Sequence, residues 1–360
     1  MTTPDRPLLG DIRRRYQVAD DATTDYRPRL AGAVDIPFTT PRRITQTEGR
    51  MLDHLTFNHG LAGLASFAGL AERAGNEAVT RYPDRPSPSW VPAHKVEAWQ
   101  GNDGHRDAFR HAYWNALMTQ QHGRGWTSVF ATAHEALPGN PANREAMDLY
   151  NNAVGRSIAA AHPNATQDQL ADLISGAVRD GKLIVMDRSG QLAWSDHVTL
   201  GMHGISPTGT IKHHLPVPPR NTTTGALHGD DAPDTALAAM AGHPLYLQAA
   251  AALDERGMNP LDAHVVYRGA ALAGLANVQR IEPGQPVTDT DGNPTRHLFA
   301  FGDRQAGVAG RDYAVITQAD LVAITPRVAA ETLVISPQHG MRTAALMPEQ
   351  SAPRPLSMGA

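Results

Sequence analysis

The amino-acid sequence predicts a mainly α N-terminal region that ends in a short β-hairpin, then a Pro/Gly linker and a small α+β C-terminal region. Three observations lead there. Apolar residues recur at three- and four-residue spacings from Thr45 to about residue 180, the period of helices with one buried face. That period gives way to strand-like alternation around a Ser-Gly turn in KLIVMDRSGQLAWSD. Residues 204–236, running from GISPTGT to DDAPDTA, are rich in Pro, Gly and Thr, the composition of a linker. At 360 residues the chain also has room for two domains.

Residues 1–43 are polar and proline-bearing without sustained periodicity, and are expected to be an irregular lead-in. Residues 44–203 form the helical domain. It opens with Thr45 as an N-cap and Glu48 three positions on, a capping box at the head of a long helical segment. The proline-rich stretch RYPDRPSPSWVP ends that segment. Helices follow over about 104–121, 126–137 and 143–161, with PGNPANRE as the turn and N-cap before the last. TQDQLADLISGAVRDG makes a further helix, and the hairpin closes the domain. Past the linker, residues 237–340 hold two helices in LYLQAAAALDERG and PLDAHVVYRGAALAGLANV. Two strands in HLFAFGDRQAGVAGRDYAVI and a helix in ADLVAITPRVAAETLVI complete that region. Residues 341–360 are a tail of small residues and prolines.

Composition excludes several classes. Hydrophobic residues make up 41% and charged residues 19%, which fits a globular protein. Lys and Arg number 32 against 36 Asp and Glu, so no basic excess points to a nucleic-acid partner, and none is expected. The absence of cysteine removes disulfides, thiolate metal ligands and Cys nucleophiles together. No apolar run approaches the roughly 18 residues of a membrane span. MTTPDRPLLGDIRRRYQ lacks the apolar core of a signal peptide, so export by a route that reads no N-terminal signal is expected.

The chemistry concentrates in GHRDAFRHAYWNALMT, residues 104–119. On a helix Asp107, His111, Trp114, Asn115 and Met118 share one face. His111 sits one turn from Asp107, within reach of a carboxylate that orients its imidazole. The next helix offers His134 and Glu135. The one after carries MDLYNNAVGR, where Asp148, Asn151, Asn152 and Arg156 project along one side, and Gly155 there lets another helix backbone approach. Burying unpaired polar groups costs about 1–3 kcal/mol each, so this set is either a fully satisfied network or a site.

Two chemistries fit a site. In one, a divalent metal ion held by His105, Asp107, His111 and Glu135 activates water. In the other, His111 is a general base held by Asp148 or Asp107. In both, His134 and Glu135 support the reacting group. Arg110 and Arg156 hold an anion, while Trp114, Asn115, Asn151 and Asn152 position the substrate. No GxSxG marks a serine nucleophile. Elsewhere, His213 and His214 belong to the linker and are expected to be solvated. His54 and His59 are packing or surface residues, and Trp126 and Trp194 core anchors.

Three resemblances add to this reading. GHRDAFRHAYWNALMT, AHEALPGNPANREAMDLYNNAVGR and GKLIVMDRSGQLAWSD resemble a family of uncharacterised bacterial domains found in predicted polymorphic and secreted toxins. RHAYWN is similar to the His-bearing helix of prokaryotic phospholipase A2 enzymes, with Ala112 where that family has a calcium-binding Asp. HPLYLQAAAALDE, HVVYRGAALAGLANVQRIE and HLFAFGDRQAGVAGRDYAVI resemble the C-terminal recruitment domain of effectors of the bacterial-killing type IV secretion system of Xanthomonas-like bacteria. This copy departs from that domain in a glutamine-poor tail and in the insert IEPGQPVTDTDGNPTR.

The resemblances imply an antibacterial effector made in the cytoplasm and secreted without a cleaved signal peptide. Residues 237–340 would dock on the coupling ATPase of the secretion system, and a cognate immunity protein would protect the producing cell. The helical domain would then act in the target periplasm as an envelope hydrolase, with phospholipid favoured. Peptidoglycan cleavage, or a non-enzymatic toxin that perturbs membranes or binds a partner, are the alternatives.

Overall fold

A capping box opens the first long helix, as the sequence predicts. The Thr45 hydroxyl accepts from the Glu48 N–H at 3.1 Å, and the Glu48 carboxylate accepts from the Thr45 N–H at 2.9 Å. The computed structural model describes residues 6–30, 34–36, 39–208, 240–285, 287–288, 294–295, 297–306, 308, 310–317, 320–321, 324 and 329. It is mainly helical, with short antiparallel strand pairs and a small C-terminal sheet.

Residues before Thr45 are more regular than an irregular lead-in. Helix α1 spans Leu9–Arg15, and strand β1 (Thr23–Tyr26) pairs antiparallel with β4 (Arg42–Thr45). Between them, β2 (Arg29–Leu30) pairs with β3 (Val34–Asp35). Ile12 and Val18 are buried, Arg6 forms an ion pair with Asp196, and the Val18 N–H donates to Glu145. These anchors are tertiary contacts at sparse positions, so they leave no periodic signature in the sequence.

Helix α2 (Gln46–Arg81) is broken at Gly60, where φ is 60°. A short helix α3 (Val96–Gly101) follows the proline-rich stretch and was not expected from the sequence. Then come α4 (His105–His122), α5 (Arg124–Glu135), α6 (Ala142–Ala161) and α7 (Gln167–Arg179), each close to its predicted span. Helices α4 and α6 pack with their backbones nearly touching. A Cβ on Gly155 would lie 2.0 Å from the Ala112 carbonyl oxygen, so only glycine fits there. Phe109, Tyr113, Leu117 and Met118 of α4 fill the core beside Met51 and Leu55 of α2 and Leu170 and Ile174 of α7. The rings of Trp126 and Phe130 stack in the same cluster at 5.2 Å.

Strands β5 (Ile184–Met186) and β6 (Leu192–Trp194) form the expected hairpin, with Ile184 opposite Trp194. The start of the expected linker is not free of the helical region. His203 stacks on Trp99 at 4.8 Å, and the buried Ser206 donates its N–H to Asp103 at 2.9 Å. Residues 209–236, with His213 and His214, lie outside the described residues.

The C-terminal region places α8 (Pro244–Glu255) and α9 (Ala263–Leu272) where the two helices were predicted. The two predicted strands are present, and among the described residues a third joins them in one sheet. Strand β7 (Arg280–Pro283) pairs with β10 (Leu298–Phe301), which pairs with β11 (Tyr313–Ile316), all antiparallel. The first residues of the presumed insert are therefore sheet, and β8 (Val287–Thr288) and β9 (Pro294–Thr295) form a small pair within it. The predicted last helix and the tail fall almost entirely outside the described residues.

Both regions share one apolar core. Phe130 and Trp126 belong to the same buried cluster as Leu245, Leu253 and Val266. A Cβ on Gly125 of α5 would meet the Leu247 carbonyl oxygen of α8 at 2.0 Å, so the two helices touch backbone to backbone. Among the described residues no helix is long and apolar enough to cross a membrane.

Candidate functional site

Helix α4 carries Asp107, Arg110 and His111 on one face. The close approach at Gly155 brings Asp148 of α6 to the same point, while α5 supplies Glu135 from the other side. Asp107, His111, Glu135 and Asp148 are each no more than 5% exposed. His111 Nε2 lies 3.4 Å from Asp107 Oδ1 and 3.7 Å from Asp148 Oδ1, and His111 Nδ1 lies 3.5 Å from Glu135 Oε1. Arg110 donates to Asp107 and stands 3.0 Å from His111 Nε2. A guanidinium only donates, so the Arg110 contact calls on the lone pair of Nε2, while Nδ1 is buried without a hydrogen-bond partner and faces Glu135.

Asp107 is fixed from behind. Its Oδ2 accepts the Asp103 N–H at 2.8 Å. Asp103 adopts φ 68°, a left-handed conformation that Asp tolerates better than most residues. It is buried and gripped by Arg144 at 2.9 and 2.7 Å, and its carbonyl accepts the Met186 N–H of the hairpin at 2.8 Å. Asp103 was not singled out in the sequence, although the Asp-Gly pair before a helix was a usable turn signal.

The two aspartates are pushed in opposite directions. Burial raises Asp107, but Arg110 foremost, together with the Asp103 amide, outweighs it and holds that carboxyl below the usual range. Burial pushes the Asp148 carboxyl well above the usual range, and the Asp107 and Glu135 charges add to this while Arg110 offsets only part. The two carboxyls beside the same imidazole are thus driven apart, Asp107 toward the ionised form and Asp148 toward the protonated one. Divergence of this kind separates an acid from a base.

The ligand atoms of Asp107, His111 and Asp148 all lie within 4.8 Å of one another, so this buried group could hold a metal ion. The set corrects the one expected from sequence. His105 turns away and bonds the Ser195 carbonyl at 2.8 Å, and Glu135 faces the opposite nitrogen of His111. Two carboxylates and an imidazole suit a hard or borderline divalent cation. Asp148 Oδ1 is buried without a hydrogen-bond partner, the state of an oxygen able to take one. Arg110 occupies the cation position between Asp107 and His111, and its side chain is 33% exposed.

Other predicted site residues serve different ends. His134 bonds Glu48 at 2.7 Å; burial lowers its pKa, but that bond and the nearby Glu135 charge raise it overall. Asn151 bridges to the hairpin, donating to the Ile184 carbonyl at 2.8 Å and accepting its N–H at 2.9 Å. Trp114 packs edge-on against Phe130 and His134. Arg156 is no anion holder for an external ligand: it is buried, and it meets Asp254 of α8 at 2.6 and 3.2 Å. Its third bond runs inward, from Nη1 to Asn115 Oδ1 at 2.8 Å. Asn115 donates to Asn152 Oδ1 at 2.6 Å, and Asn152 donates to Glu135 Oε1 at 3.4 Å. Asp254 lies far along the chain in an apolar helix, and nothing local in the sequence marks it.

Residues 91–182 match the family model of a domain of unknown function, DUF6973. The matched segment holds α3 through α7 and every residue of the Asp107–His111–Asp148 group. No similarity to a curated protein or to a solved structure was found.

Proposed function

We propose that the chain is an antibacterial effector whose helical region hydrolyses an ester of the target-cell envelope, with phospholipid as substrate. The observation that carries the hydrolytic reading is the buried His111 set within 3.4 Å of Asp107 and 3.7 Å of Asp148, two carboxyls whose surroundings push them in opposite directions. Arg110 is the one member of this group with substantial exposure, and it covers that nitrogen. An anionic headgroup draws the guanidinium outward, which frees Nε2 to take a proton from water. The water oxygen then adds to the ester carbonyl as its proton passes to Nε2, and the ester C–O bond breaks as Asp148 gives its proton to the leaving oxygen. Asp107 stabilises the imidazolium that forms, and the Glu135 charge 3.5 Å from Nδ1 steadies the ring.

Asp107, His111 and Asp148 are also the residues that would hold a divalent cation once Arg110 moves. Bound there, such an ion would supply Lewis acidity and acidify a water at neutral pH. The delivery half of the proposal rests on the C-terminal resemblance. Residues 237–340 would dock on the coupling ATPase, and an immunity protein would protect the producing cell. The test is fatty-acid or headgroup release from phosphatidylethanolamine–phosphatidylglycerol vesicles by the full chain. His111→Gln is expected to abolish release; release of muropeptides from cell-wall sacculi with intact lipids would instead assign peptidoglycan.

A further inference from the structure

The polar path from α8 to His111 has a fixed direction. Arg156 can only donate, so Asn115 must present its carbonyl oxygen to it. Asn115 then has only its amide N–H₂ to offer Asn152, and Asn152 in turn offers its own to Glu135, whose carboxylate can only accept. Every amide dipole therefore points from a buried cation toward a buried anion, an arrangement in which neighbouring hydrogen bonds reinforce one another. At the far end Asp254 fixes the cation, with Arg124 as its second partner at 2.8 Å. The path is buried along its length, and its origin lies in the C-terminal region, across the contact where α5 and α8 touch.

We infer that Asp254 is a positioning residue for His111, contributed by the C-terminal region and acting through Arg156, Asn115, Asn152 and Glu135. It sets the orientation and proton placement of the imidazole without touching it. The site is then complete only while the C-terminal region is docked. The catalytic meaning of this inference rests on the hydrolase reading, whereas the positioning itself does not.

The experiment uses the full chain, labelled with ¹⁵N-histidine and treated with chelator, at one neutral pH. The ring signals of His111 are assigned by their loss in His111→Gln. Wild type is expected to show a single tautomer with the proton on Nδ1. Asp254→Asn and Asn152→Ala are both expected to shift these signals toward a mixture of tautomers. Asn143→Ala, which removes a buried amide that bonds the Gly190 carbonyl off this path, is expected to leave them in place. Should Asp254→Asn fail to fold, Asn152→Ala decides alone, since it leaves the Asp254 pairs intact. Wild-type ring signals in the folded variants would overturn the inference.

Vesicle hydrolysis run in parallel separates the two readings. Release is expected to fall about 10- to 100-fold in Asp254→Asn and Asn152→Ala, the usual cost of losing an orienting partner. If His111→Gln leaves release unchanged while the ring signals still shift, the hydrolase reading fails and the positioning stands. If His111→Gln abolishes release while the variants keep wild-type rings, the positioning fails and the hydrolase reading stands.

Discussion

Asp107 and Asp148 face one imidazole from two helices, and burial acts on both in the same sense. They diverge because Arg110 and the Asp103 amide serve Asp107, while Asp148 has no such partner on Oδ1. The stability consequence has a definite sign. The folded pKa of Asp148 lies above its unfolded value, so its contribution is present at low pH and is lost as pH rises through the folded pKa. Asp148→Asn removes that loss. Its stability advantage over wild type should therefore grow with pH in denaturant titrations of metal-free protein. His122 behaves oppositely. Burial against Phe67 and Trp126, with a smaller contribution from His59, lowers its pKa from 6.5 to about 4. The unfolded chain takes up that proton first, so stability present above about pH 6.5 is lost as pH falls toward about 4. His122→Phe should lose less stability over the same interval.

At the scale of elements, the sequence read most clearly where a side chain's role follows from spacing. The capping box at Thr45, the three helices that build the site and the Gly155 approach all follow from periods and small residues. Gly155→Ala is therefore expected to lower stability by about 1–3 kcal/mol or more through overpacking, measurable by calorimetry. It should also part α4 from α6 and with them Asp107 from Asp148. What spacing could not show is which polar neighbour each group chooses. His105, His134 and Asn151 share the helical faces of the cluster, yet each is committed to Ser195, Glu48 or Ile184 by folding at long range. The lead-in was illegible for a related reason: α1 is held by few apolar anchors, Ile12 foremost, and so shows no period.

For the whole molecule, composition led to the expectation of a linker but gave no sign of the contact between the regions on either side of it. A Pro/Gly-rich segment reads as separation, whereas α5 and α8 meet at Gly125 and both regions fill one apolar cluster. Asp254 adds a buried ion pair to that contact. Asp254→Ala, which leaves Arg124 and Arg156 without their counter-ion, is expected to cost about 3–5 kcal/mol. A chain cut after residue 205 would expose the α5 face and both arginines. Its thermal unfolding should come well below that of the full protein, which is expected to unfold in a single transition by circular dichroism.

The central claim is that His111 performs hydrolysis between its two aspartates. It is tested most directly by giving purified full-length protein, wild type and His111→Gln, the same phospholipid vesicles and measuring the products released. The account predicts release by wild type and none by His111→Gln at equal folded concentration. Equal release by both proteins, or none by either while killing of target bacteria persists, would contradict it.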